Sequence, residues 1–212
     1  MALFVKRPDI GSRISFTTYG MNKSLLIVGL GNLGKEYDGT RHNVGFLCLD
    51  EFALKNDFTS WVNKTDMKCL TTVKTVGDTR VILCKPTTFM NLSGEAVQAV
   101  IHFYKLSLDN VIVLHDDIDV DFGQIRMRRG GSSAGHNGIK SVTQMLGSED
   151  YGRVRVGIGP KTPPQLDSAD FVLQKFNATE RGELPKLTRE MNALLSEYAY
   201  GTPLTSETRS FL

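Results

Sequence analysis

Apolar and polar positions alternate along this chain in two different periods. In the run Ser24-Leu25-Leu26-Ile27-Val28 the four residues after Ser24 are continuously apolar, and so short an apolar run predicts a strand covered on both faces. Similar runs predict strands near 67–75, 79–84, 111–115, 124–129 and 153–159. Between them lie stretches with helical spacing. Val44, Leu47, Phe52 and Leu54 predict a helix over 43–56, and further helices are predicted over 93–105, 137–146 and 178–199. The last has a capping signature, with Asn177 as acceptor and Glu180 three residues on, and an apolar face of Leu184, Leu187, Met191, Leu194, Leu195 and Tyr198. Pro185 lies inside it and predicts a kink or a late start. Alternation of strand and helix points to an α/β fold: a single-domain three-layer sandwich whose mixed, mostly parallel central sheet is flanked by helices. The pair 67–75 and 79–84, joined by Val76-Gly77-Asp78, reads as a hairpin and makes the sheet mixed.

Composition narrows the class. With 41% hydrophobic residues in 212, the chain can bury a core without staples. Cys48, Cys69 and Cys84 lack the close pairing of a zinc site and read as reduced core residues. No apolar run approaches the ~18 residues of a membrane span. The net charge of +2 belongs to the first twenty residues, where Lys6, Arg7 and Arg13 face Asp9, so the rest is neutral. A surface for nucleic acid must then be a local patch. Residues 1–21 are expected to be a basic extension with Met21 a candidate start, residues 22–200 the domain, and 201–212 a tail.

Two motifs suggest chemistry that their surroundings do not support. Gly29-Leu30-Gly31-Asn32-Leu33-Gly34 follows a strand as a dinucleotide fingerprint does, but Lys35 to Asn43 lacks helical periodicity, and Asp50 falls within a predicted helix instead of ending a second strand. Gly131-Ser132-Ser133-Ala134-Gly135 fits a nucleophile elbow, yet the only histidine beyond Ser133 is His136, too local for a triad. This Gly-rich stretch reads better as a loop whose N–H groups, with the start of helix 137–146, receive a phosphate. Ligands in open α/β sheets bind outside the carboxyl ends of strands. The candidate chemistry therefore gathers at Asn32 and Thr40-Arg41-His42-Asn43, at Lys85 to Asn91, at Asp116-Asp117, and at Gly130 to Gly138.

Five stretches taken together, in order, carry a resemblance: Leu26 to Asn32, Thr40-Arg41-His42-Asn43-Val44-Gly45, Lys85-Pro86-Thr87-Thr88-Phe89-Met90-Asn91-Leu92-Ser93-Gly94, His115-Asp116-Asp117-Ile118-Asp119, and Gly135-His136-Asn137-Gly138. Over about Leu25 to Phe176 the chain resembles the bacterial-type peptidyl-tRNA hydrolases. The resemblance implies a cytoplasmic, monomeric esterase, with neither metal nor other cofactor, that recycles peptidyl-tRNA released by stalled ribosomes. It assigns the general base to His42 and the orienting carboxylate to Asp116, and an imidazole, with an unperturbed pKa of ~6.5, suits proton transfer near neutrality. It assigns inspection of the blocked amino group to Asn32, and contacts with the tRNA 3′ end and the ester to Asn91 and Asn137. Tyr37 and Phe89 match substrate-contact positions, with a core role for Phe89 as the alternative. Asp117 and Asp119 read as solvent-facing or structural, and His115 and His136 carry no assignment.

Arg126 and Arg128 alternate along one strand, as do Arg153 and Arg155, so each pair projects to one face. Such doublets are commonly solvated. With tRNA as partner, Arg128, Arg155 and Lys140 are the expected clamps on acceptor-stem phosphates. The chain departs from the family pattern at Leu33, where a proline is usual. A non-catalytic relative of the same fold, acting in RNA splicing, is the alternative reading, and the set His42, Asp116, Asn32 and Asn91 favours the enzyme.

Overall fold

The computed structural model describes residues 23–212, so the basic N-terminal extension lies outside the described residues. Among these, eight strands form one sheet: β1 (Lys23–Gly29), β2 (Val62–Lys64), β3 (Cys69–Val76), β4 (Thr79–Pro86), β5 (Val111–Asp121), β6 (Gln124–Arg129), β7 (Gly152–Gly159) and β8 (Glu207–Ser210). Their spatial order is β2-β3-β4-β1-β5-β7-β6-β8. The three central pairings, β4 with β1, β1 with β5 and β5 with β7, are parallel. Antiparallel pairs finish both edges, including the expected β3–β4 hairpin. Five helices surround the sheet: α1 (Val44–Lys55), α2 (Ser93–Tyr104), α3 (Asn137–Leu146), α4 (Ser168–Leu173) and α5 (Ala178–Ala199).

The apolar run of β1 explains the layering. Leu25 and Ile27 point into a core shared with Val44, Leu49 and Phe52 of α1 and Leu187, Met191 and Leu194 of α5. Leu26 and Val28 point the other way, toward Val97 and Val100 of α2 and Ile139 and Val142 of α3. A strand buried on both faces has no room for the polar alternation of a half-exposed one. The Asn177–Glu180 capping box is complete, and α5 runs through Pro185 without a delayed start.

Glycines supply close approaches instead of a nucleotide cradle. A Cβ on Gly29 would lie 2.5 Å from the Gly45 carbonyl oxygen, and one on Gly45 would lie 2.6 Å from the Leu30 nitrogen. Both positions let the start of α1 sit directly on the end of β1. Only a 3-10 turn, Lys35–Tyr37, follows the Gly-rich segment, and Asp50 pairs with Lys85 at 2.5 Å, so neither part of a dinucleotide site is present.

Three elements were not expected: β2, α4 and β8. The segment 201–212, read as a tail, is drawn into the sheet. β8 pairs with β6, Arg209 bonds Glu197 at 2.6 and 3.0 Å, and Phe211 is buried against Phe122.

Candidate active site

The strand order reverses direction around β1, which has β4 on one side and β5 on the other. Polar residues from the carboxyl ends of these three strands meet there, where an open sheet leaves a crevice. A cleft of about 470 Å3 is lined by Asn32, His42, Asp116, His136 and Asn137 and by Val172 and Leu173 of α4.

His42 sits on the 3-10 turn Arg41–Asn43 that leads into α1. Its Nδ1 lies 2.9 and 3.0 Å from the two carboxylate oxygens of Asp116. A carboxylate only accepts, so Nδ1 carries the proton and Nε2 is left with its lone pair. Asp116 is 2% exposed and lies on β5 in regular register with Val156 of β7, just before the register shifts between Asp117 and Asp121. Burial by itself would raise its pKa. The positive charge that His136 and His42 carry when protonated, with the hydrogen bonds from both rings, outweighs that and holds the carboxyl well below its ordinary range.

His136 is the residue that sequence reasoning left without a role. As N-cap of α3 it accepts the Gly138 and Ile139 N–H groups at Nδ1, at 3.1 and 3.2 Å. That fixes its tautomer: Nε2 carries the proton and donates to Asp116 Oδ1 at 2.9 Å. Two histidines therefore grip one carboxylate. His42, Asp116 and His136 also have the separation of a metal-binding triad, with ligand atoms all within 4.8 Å. They do not fit a metal, because the His136 Nε2 presents a hydrogen where a ligand needs a lone pair. The arrangement also revises the expected phosphate cradle, since two N–H groups at the start of α3 are already taken by the His136 ring.

Asn32 is held equally firmly. Its backbone N–H donates to Asn43 Oδ1 at 2.8 Å, Asn43 Nδ2 returns a bond to the Asn32 carbonyl at 2.9 Å, and Asn32 Oδ1 accepts the Met90 N–H at 2.8 Å. With its oxygen occupied, Asn32 offers the cleft its Nδ2 donors. Asn137 lies on the cleft wall. Asn91 is exposed on the 3-10 turn Met90–Leu92, and Tyr37 is half-buried on its own 3-10 turn, both outside the cleft lining. Phe89 is 65% exposed, which removes the core reading.

The arginine doublets separate. Arg128 is exposed, and Arg155 donates from Nε to Asp117 at 2.5 Å. Arg153 departs from the expected solvated face: it is 2% exposed, bonds the Ser132 carbonyl at 2.7 Å and stacks on Tyr151. Arg128, Arg153 and Arg155 line a small cavity of about 50 Å3 with His115 and Ser133, next to the main cleft. Lys140 is exposed on α3. The buried His115 donates from Nδ1 to the Asp116 carbonyl at 2.7 Å, and burial, then the charge of His136, push its pKa down to about 3.

The family profile described as peptidyl-tRNA hydrolase matches residues 26–210. The peptidyl-tRNA hydrolase of Thermoanaerobacter sp. (strain X514) is 49% identical over 156 residues, covering 74% of this chain and 82% of that protein. The chloroplastic peptidyl-tRNA hydrolase of Arabidopsis thaliana is 46% identical over 160 residues, covering 75% and 54%. A crystal structure of the peptidyl-tRNA hydrolase from Acinetobacter baumannii superposes with a TM-score of 0.72 at 28% identity, covering 87% of this chain and 98% of that one. The family match spans the strands and turns that assemble the cleft, and the chain belongs to the peptidyl-tRNA hydrolase family.

Proposed function

We propose that this cleft hydrolyses the ester joining a peptide to the 3′ end of tRNA, with His42 as general base. The observation that carries the reading is the His42–Asp116 contact, which leaves the imidazole Nε2 as the free basic atom in the cleft. In that reaction Nε2 takes a proton from water as the water oxygen bonds to the ester carbonyl carbon. The imidazolium formed is stabilised by the charge of Asp116, which also holds the ring in its orientation, as in other carboxylate–imidazole pairs. When the carbon–oxygen ester bond breaks, the ribose oxygen takes that proton, releasing tRNA and the peptide carboxyl group. His136 holds the second face of Asp116 and keeps it ionised. No step calls for a metal.

Asn32 Nδ2 is read as the donor to the peptide group that marks a blocked amino terminus. Asn91 and Asn137 are read as contacts for the 3′ end and the ester, with Tyr37 and the exposed Phe89 as surfaces for base stacking. Arg128, Arg155 and Lys140 are read as phosphate contacts in the acceptor stem. No helix among the described residues is long and apolar enough to cross a membrane, and the three cysteines are buried and unpaired, as suits a reducing cytoplasm. We read the enzyme as a monomer. Retention of the base and its carboxylate favours catalysis over a splicing role.

The test is turnover of N-acetylated aminoacyl-tRNA. His42→Ala should lower kcat by about 10²-fold or more with tRNA binding largely kept, and Asp116→Asn should lower it less, because the imidazole remains. Wild-type turnover in His42→Ala would exclude the assignment.

A further inference from the structure

Part of the wall of the cleft is α4, only six residues long. A helix this short does not hold itself, since closing its first turn costs more than one hydrogen bond returns. Its place therefore depends on what grips its ends. At the start, Asp167 Oδ1 accepts the Ala169 N–H at 2.8 Å, and Lys161 Nζ bonds the Leu166 carbonyl and the Ser168 hydroxyl, each at 3.1 Å. At the other end, the chain leaving α4 at Gln174 and Lys175 meets Arg41. Its backbone N–H donates to the Gln174 carbonyl at 3.0 Å, and its Nη1 reaches the same oxygen at 3.4 Å and the Lys175 carbonyl at 3.0 Å.

The other arm of the guanidinium points elsewhere. Nη2 pairs with Glu180 Oε2 at 2.7 Å, the oxygen that also receives the Asn177 N–H in the capping box of α5. The guanidinium carbon lies 4.5 Å from the Phe171 ring centroid and 5.5 Å from that of Phe176. Arg41 is 5% exposed, and the next residue is His42. One side chain thus joins the end of α4, the start of α5 and the turn that carries the base.

We propose that Arg41 is a positioning residue: it fastens the α4 wall to the catalytic turn and so sets the width of the cleft around the base. Its part in turnover rests on the cleft being the peptidyl-tRNA site. The planar fork matters, because it satisfies carbonyls on one side and a carboxylate on the other, which a lysine ammonium at the end of a flexible stem does not do together.

Two measurements test this on Arg41→Lys and Glu180→Gln. In substrate-free protein, amide exchange over residues 169–175 should quicken by about tenfold in Arg41→Lys and by less in Glu180→Gln, with β1 and β5 amides unchanged. With N-acetylated aminoacyl-tRNA, KM should rise by about tenfold in Arg41→Lys while the midpoint of the kcat–pH profile stays put, because the His42–Asp116 contact does not involve Arg41. A residue that only stabilised the fold would quicken exchange across the sheet and lower kcat with KM unmoved, and either pattern overturns the proposal. So does unchanged exchange over 169–175 in folded Arg41→Lys. Should that variant not fold, Glu180→Gln decides by the same two readouts. Absence of turnover in the wild-type protein would refute the proposed function, and exchange would still decide whether Arg41 holds α4.

Discussion

At the residue scale, the site depends on which atom of each polar group is already spoken for. Asn32 shows this best. Its amide oxygen is bonded to the Met90 N–H, so the cleft meets a donor and no acceptor. A free aminoacyl-tRNA would bring an ammonium that loses hydration there with no counter-charge to replace it. Asn32→Asp keeps an oxygen for Met90 and turns the other toward the cleft, replacing the donor with an anion. The ratio of kcat/KM for N-acetylated over free aminoacyl-tRNA should then fall by about tenfold or more. An unchanged ratio would show that the discriminating contact lies elsewhere. His42 and Asp116 are identifiable from the residues that flank them, whereas His136 is not. Its role depends on a single ring capping α3 at Nδ1 while donating to Asp116 at Nε2, which no local pattern encodes.

At the element scale, strands and helices with a strong period fall where the pattern predicts them, and those without one escape it. β2 spans three exposed residues, α4 six, and β8 four of mixed exposure, each too short to show a period. They exist because they close a sheet edge or a cleft. The pairing of β6 with β7 likewise decides which arginines meet solvent. Arg128 opposes Arg153 and Arg126 opposes Arg155, so the doublets interleave, with Arg153 buried and Arg128 left at the surface. If these strands bind phosphates, Arg128→Ala or Arg155→Ala should raise KM and lessen the salt dependence of log KM by about 0.7–0.9 for each phosphate no longer neutralised, with kcat retained. Titrating KM against salt in each variant measures this. A slope unchanged in both would move the tRNA footprint to another face.

At the scale of the whole molecule, burying charge and histidine under the sheet's carboxyl end ties stability to pH. His115 is pushed down to about 3 in the folded protein, against its ordinary value of 6.5. Between those values the unfolded chain binds a proton that the folded one excludes, so stability falls as pH drops from about 6.5 toward 3, by up to ~1.4 kcal/mol per unit. Burial is the main cause, the charge of His136 adds to it, and Asp116 and Asp117 oppose it. Asp116 acts in a lower window. Its carboxyl is depressed below the ordinary 3.8, so its contribution is complete above that value and is lost as pH falls through the folded one. Urea unfolding at pH 7 and pH 4.5 should show a clear loss in the wild-type protein and a smaller one in His115→Asn. Equal losses would mean that another group controls the acid limb.

The alternation of apolar runs and helical spacing determined the layers of this protein, because burial on two faces of β1 and on one face of α1, α2, α3 and α5 is written in neighbouring residues. The motifs at strand ends determined which residues could do chemistry, since a crevice forms wherever a parallel sheet changes direction. Only the tertiary structure decided how that chemistry is held. Asn32 and Met90 are 58 residues apart, His42 and Asp116 are 74 apart, and Arg41 meets Lys175 across 134. Hydrogen bonds over such separations depend on the order of strands in the sheet and on the register of β5 against its neighbours, and these are fixed by packing of the whole core and not by the composition of any one segment.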